Sequence, residues 1–139
     1  IAELAISQKI PSFLINFSGN MRWKGSPPKK DRWNLQAWNP IKQVGYKIDI
    51  PKEGAMASSG PEHNSFDEKY AWHHLISPKT LRPANYRSQT TVVGTSAADC
   101  DVLSTATFVS DDAEVRKILT KYPGYKAYSI DQSGNQHLF

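Results

Sequence analysis

Thr90-Thr91-Val92-Val93-Gly94-Thr95-Ser96-Ala97-Ala98-Asp99-Cys100-Asp101-Val102-Leu103-Ser104-Thr105-Ala106-Thr107-Phe108 decides the fold. Its first five residues are rich in β-branched side chains, end on glycine, and predict a strand. Ser96 or Asp99 then offers a side-chain oxygen to cap a helix covering roughly 99–109. A second helix is expected from Asp111-Asp112, whose carboxylates suit a helix N-terminus, with Val115, Ile118 and Leu119 on one face. Tyr125 to Ile130 follows as a last strand, turned by Ser133-Gly134.

Working back toward the N-terminus, the pattern becomes strand-rich. Residues 1–9 carry apolar side chains at helical spacing, and Pro11 ends that helix. Ser12 to Phe17 reads as a buried strand and Ser18-Gly19-Asn20 as a turn. Arg32 to Trp38 alternates, with Trp33, Leu35 and Ala37 on one face, and closes at Asn39-Pro40. Tyr46 to Ile50 and Ala55 to Ser59 continue an antiparallel meander, and Tyr70 to Ile76 predicts a further short strand. Strands plus three helices make an α+β domain over residues 1–139.

Composition narrows the classes. The chain has 139 residues, 39% hydrophobic and 22% charged, with no apolar run of the ~20 residues a membrane span needs. The single cysteine, Cys100, rules out an internal disulfide and reads as a buried, inert thiol. A net charge of +4 favours an anionic partner, yet the cations are scattered apart from Lys24 to Arg32. Basic and aromatic residues do not interleave as they do in single-strand nucleic-acid binders, so a nucleic-acid partner is not expected. The chain opens on Ile1, inside what reads as a helix, which suggests a mature, cleaved or truncated product.

Chemistry concentrates in a few places. Asp101 and Thr105 are four residues apart, hence one turn apart on one helix face. A carboxylate and a hydroxyl are hard oxygen donors suited to Mg²⁺. The same spacing also serves an acid near a helix start and a threonine bonded to its own backbone, and spacing alone leaves both readings open. His73 and His74 point to opposite faces of a strand, so at most one meets a given site. Such a histidine is either a satisfied structural group or a proton-transfer group. His63 and His137 read as surface residues, and no histidine pair has zinc spacing. Ser18-Gly19-Asn20 and Ser58-Ser59-Gly60 are small-residue turns, either ordinary or open to phosphate. Of the four tryptophans, Trp33 and Trp38 are assigned to the core by their strand-like surroundings.

The order of these blocks resembles the C-terminal part of the ApbE family, the FAD:protein FMN transferases formerly called thiamine-biosynthesis lipoproteins. Phe13 to Asn20 resembles its strand ending in Gly-Gly, and Trp33 to Pro40 its next strand. Ala55-Met56-Ala57-Ser58-Ser59-Gly60 resembles A-x-A-T-S-G, and His74 to Thr80 resembles H-I-I-D-P-x-T. Asp99 to Phe108 resembles A-D-A-L-S-T-A-L-F, and Tyr125 to Gly134 the closing strand and turn. The chain departs from the family at Ser18 and Leu81, where glycine is usual, and at Ser77, where aspartate is usual.

The resemblance implies a T-fold-like α+β architecture, an antiparallel sheet with helices packed on one face. It implies Mg²⁺ held by Asp101, Thr105 and a main-chain oxygen near Ala2. FAD would be contacted at Ala5, Ser59, His74 and Leu75, with His74 as the candidate proton-transfer group. The implied reaction joins the FMN part of FAD to a Ser or Thr hydroxyl of an acceptor protein and releases AMP. FAD pyrophosphatase activity and a non-catalytic flavin-binding relic are the alternatives. The family's N-terminal half is expected to be absent from this chain. An extracytoplasmic place, with a lipid anchor on the full-length protein, is implied by the family alone.

Overall fold

The computed structural model describes residues 1–62 and 64–139. Its elements are α1 (Ala2–Ser7), β1 (Phe13–Phe17), β2 (Asn20–Lys24), β3 (Gln36–Asn39), β4 (Val44–Lys47), β5 (Glu53–Ser59), β6 (Ile76–Ser77), β7 (Arg82–Pro83), β8 (Gln89–Gly94), α2 (Ala97–Phe108), α3 (Asp112–Thr120), β9 (Lys126–Ile130) and β10 (Gln136–Leu138). Six strands form one antiparallel sheet in the order β1-β2-β5-β8-β9-β10, with β3–β4 and β6–β7 as separate hairpins. The architecture is α+β.

Strand periodicity sorts the side chains onto two faces. Ala55, Ala57, Val92 and Ala127 point to one face and pack on Cys100 and Leu103 of α2, with Ile118 and Leu119 of α3 behind. Small residues on the sheet let the helix approach closely. Met56, Val93 and Ile130 point to the other face, where Trp23 and the β3–β4 hairpin bury Ala37, Tyr46, Ile48 and Ile50. A satellite cluster of Leu75, Ala84 and Phe108 anchors the excursion between β5 and β8 to the end of α2.

The helix starts follow from capping. Ser96 Oγ accepts the Asp99 N–H at 3.3 Å, so α2 begins two residues before 99. Asp111 Oδ1 accepts the Glu114 N–H at 2.9 Å and starts α3. Tyr125 braces the first turn of α2: its hydroxyl donates to Asp99 Oδ2 at 2.9 Å and accepts from the Ser96 N–H at 3.3 Å. A Cβ on Gly94 would overlap the Tyr125 ring. Gly94→Ala is therefore expected to cost about 1–3 kcal/mol of stability by overpacking. Denaturant unfolding checks this, and an unchanged midpoint would show that Tyr125 moves freely.

Several sequence expectations change. β1 is an edge strand, half-buried at Phe13 to Ile15 and exposed at Asn16 and Phe17, so Ser12 to Phe17 is not a buried strand. It pairs with β2, a strand unforeseen from sequence, through a turn with Ser18 at φ 53° and Gly19 at φ 96°. Two successive left-handed residues match the twist of a two-residue hairpin. The strands do not run as one meander, because β3–β4 leaves the sheet to cover its face. Tyr70 to Leu75 is not a strand: a single Ser65–His73 bridge forms there, and the Asp67 side chain accepts the Trp72 N–H at 2.9 Å, bending the chain. Tyr125 to Ile130 is not the last strand either, because β10 pairs with β9. His137 lies exposed in β10 and bonds Asp131 at 2.9 Å, whereas His63 lies outside the described residues.

Candidate functional site

A cavity of about 710 Å³ opens where the β1–β2 turn, the ends of β3 and β5, the His74 segment and α2 converge. Its walls include Ser18, Gly19, Trp38, Ser59, His74, Leu75, Asp101 and Thr105. Strand β5 delivers Ser59 on the helix-facing side of the sheet, the face already fixed by Ala55 and Ala57. Helix α2 presents Asp101 and Thr105 one turn apart, both exposed, while Cys100, Leu103 and Ser104 bury the opposite stripe. The burial of that stripe on β5 is what aims the pair outward.

Direct contacts tie the groups together. Ser59 Oγ lies 3.1 Å from Thr105 Oγ1 and 2.8 Å from Ser104 Oγ. Asn20 Nδ2, at the start of β2, donates to Asp101 Oδ1 at 3.2 Å. Asp99, the other acid of the opening motif, is engaged by Tyr125 and does not line the cavity. Cys100 is fully buried, and that burial pushes its thiol up to about 12, with the neighbouring Asp99 charge adding to the rise.

The two central histidines enter different surroundings, although their segment is not a strand. His73 is buried, its Nδ1 accepts the Leu75 N–H at 3.2 Å, and its ring stands nearly perpendicular to that of Phe108. Its Nε2 therefore carries the proton, 3.4 Å from Asn85 Oδ1, and both nitrogens are occupied. His74 is exposed in the cavity wall, with Nδ1 3.2 Å from the Asn64 carbonyl oxygen. A carbonyl only accepts, so a proton sits on Nδ1, and in the neutral imidazole Nε2 keeps its lone pair. Ser77, at the usual aspartate position, is buried and its Oγ has no hydrogen-bond partner among the described residues. The main chain of Asn64 orients His74 instead.

The other two departures share one conformation. Ser18 and Leu81 stand where glycine is usual, and they have φ of 53° and 54°. Glycine enters that left-handed region without steric penalty, so the structure accounts for the usual residue at both positions.

Of the residues implied as ligands, Asp101 and Thr105 come together, while Ala2 and Ala5 on α1 are not among the residues lining this cavity. The donor chemistry fits a hard divalent cation: one carboxylate and one hydroxyl leave further positions for water and phosphate oxygens. Among the described residues no three His, Cys, Asp or Glu side chains cluster as metal ligands, so a site made only of such groups does not fit.

Trp38 corrects the sequence assignment to the core: it is 40% exposed, lines the cavity, and its Nε1 donates to Glu62 Oε1 at 3.4 Å. The signal was present, because placing Trp33, Leu35 and Ala37 inward puts Trp38 on the opposite face. Asn20 had no comparable signal; its role depends on a contact 81 positions away in sequence.

The ApbE family model matches residues 1–129. The chain is similar to the ApbE protein of Thermotoga maritima, with TM-score 0.73 at 26% identity over 97% of this chain and 45% of that one. It shares its fold with the flavin transferase ApbE of Vibrio cholerae, with TM-score 0.71 at 22% identity over 99% of this chain and 45% of that one. The Pseudomonas stutzeri flavinyl transferase ApbE gives TM-score 0.71 at 21% identity over 96% and 43%. No curated protein matches the sequence. The chain thus spans less than half the length of these solved structures. It belongs to the ApbE family.

Proposed function

We propose that this chain forms the metal and acceptor side of a flavin transferase that moves FMN from FAD onto a Ser or Thr hydroxyl of a target protein, releasing AMP. The supporting observation is one cavity that gathers Asp101, Thr105, Ser59, His74 and Leu75 beside the ring of Trp38. Asp101 and Thr105 would hold Mg²⁺, with the Ala2 main chain as the ligand that family resemblance adds. The bound ion would offset pyrophosphate charge and polarise the phosphorus.

The chain's own groups supply the rest. The free Nε2 of His74 takes the proton of the acceptor hydroxyl. That oxygen bonds to the FMN phosphorus, the bond from this phosphorus to the bridging oxygen breaks, and AMP leaves with the electron pair. Ser59 and Leu75 line the flavin-nucleotide side, and Ala5 is assigned to FAD by resemblance only. Trp38 offers a flat apolar surface to a ring system.

A second reading, hydrolysis of FAD to FMN and AMP, is favoured by the exposure of His74, Asp101 and Thr105, which admits water as the acceptor. Incubating the full-length protein with FAD, Mg²⁺ and Thr-containing protein segments separates the two. Flavin covalently attached to a segment marks transfer, and free FMN marks hydrolysis. His74→Ala is expected to lower transfer by roughly 10²–10⁴-fold while FAD still binds. Absence of any FAD turnover in the wild type would leave only a flavin-binding relic. An extracytoplasmic location is part of the same proposal and is tested by cell fractionation.

A further inference from the structure

The hydroxyls behind Thr105 admit one arrangement of protons. Ser104 Oγ lies 2.9 Å from the Asp101 carbonyl oxygen, which can only accept, so the single Ser104 proton is directed there. At the 2.8 Å contact between Ser59 and Ser104, Ser59 must therefore donate. At the 3.1 Å contact between Ser59 and Thr105, Thr105 must donate in turn. The Thr105 proton thus points back into the protein, and the Oγ1 lone pairs remain for the cavity that Thr105 lines. Ser104 is fully buried and Ser59 is 9% exposed, which limits water as a substitute for either.

We propose that Ser59 and Ser104 are positioning residues that aim the lone pairs of Thr105 at a hard divalent cation, with Asn20 holding one oxygen of Asp101 from the other side. The proposal rests on the cation reading given above. A threonine free to rotate would spend part of its time presenting a proton to the cation. The relay removes that option, because its last acceptor is a backbone carbonyl fixed within α2. Asn20 acts similarly on the carboxylate: it occupies Oδ1 at 3.2 Å, while Oδ2 has no partner among the described residues.

The test uses Mn²⁺ as a spectroscopic stand-in for Mg²⁺, titrated into the full-length protein with free Mn²⁺ read by electron paramagnetic resonance. Ser59→Ala and Ser104→Ala are each expected to weaken binding by about tenfold or more, the usual effect of removing a partner that orients a ligand. The double variant should be no worse than either single one, since each breaks the same chain. Ser58→Ala should retain affinity, because Ser58 bonds Thr91 at 2.8 Å outside the relay. Ser104→Cys preserves volume with a poor hydrogen-bonding group and should match Ser104→Ala if the alanine protein is unstable. Additive losses in the double variant, or wild-type affinity in Ser59→Ala, would overturn the relay while Asp101→Ala still abolishes binding. If Asp101→Ala also binds Mn²⁺ normally, the cation reading itself falls.

Discussion

Asp101→Ala in the full-length protein is expected to lower Mg²⁺-dependent FAD turnover on the order of 100-fold or more, about 2.7 kcal/mol of barrier. Asp101 is the one carboxylate among the cavity residues of α2, and a hydroxyl alone holds a divalent cation poorly. The fold should be untouched. The side chain is exposed, its one hydrogen bond among the described residues comes from Asn20, and exposed substitutions of this kind stay within about 0.5 kcal/mol. The measurement pairs steady-state FAD turnover at several Mg²⁺ concentrations with a thermal melt. Full turnover in a folded variant would remove Asp101 from the metal site. Lost turnover with a lowered melting temperature would instead mark Asp101 as a stability residue.

Trp23→Ala is expected to give the largest loss of stability, about 3–5 kcal/mol. Trp23 is fully buried on the face opposite α2 and joins the sheet to the β3–β4 hairpin. Its Nε1 donates to the Pro51 carbonyl at 3.0 Å, so the alanine variant leaves a void and also loses that hydrogen bond. Against a typical total of about 5–15 kcal/mol, that loss populates the unfolded chain. Trp23→Phe should cost less, since it keeps most of the packing and loses the hydrogen bond. Urea unfolding of both variants decides it, and a loss below about 1 kcal/mol for Trp23→Ala would mean that the hairpin is held elsewhere.

Some of this was legible in the sequence because local patterns coincide with tertiary demands. The Thr90 to Gly94 strand, the two acid-led helices and the inward set of Trp33, Leu35 and Ala37 follow from side-chain type and period. The placing of Asp101 and Thr105 on one helix face follows from helical spacing, whereas the cavity they share is formed by residues distant in sequence. What was hidden depends on long-range partners. β10 is short and exposed, and β2 sets Met21 and Trp23 between polar residues; pairing with β1, β5 and β9 is what makes both of them strands. The 70–75 segment looks like a strand by residue type, yet Asp67 captures its backbone and redirects it. Trp38 alternates with the inward set, so it falls on the open face and in the cavity wall, although its residue type is one that cores favour. Asn20 and Ser104 act through contacts that no local pattern announces.

The buried thiol has a practical consequence. Cys100 is the only cysteine of the chain, and its Sγ sits 3.5 Å from the Ala55 carbonyl, where α2 meets β5. With its thiol pushed up to about 12, almost no thiolate exists near neutral pH. Alkylating reagents then react only when this junction opens, and the same junction carries Ser59, Asp101 and Thr105. The rate of Cys100 labelling becomes an internal clock for breathing of the site, and any ligand that clamps Ser59, Asp101 and Thr105 together should slow it.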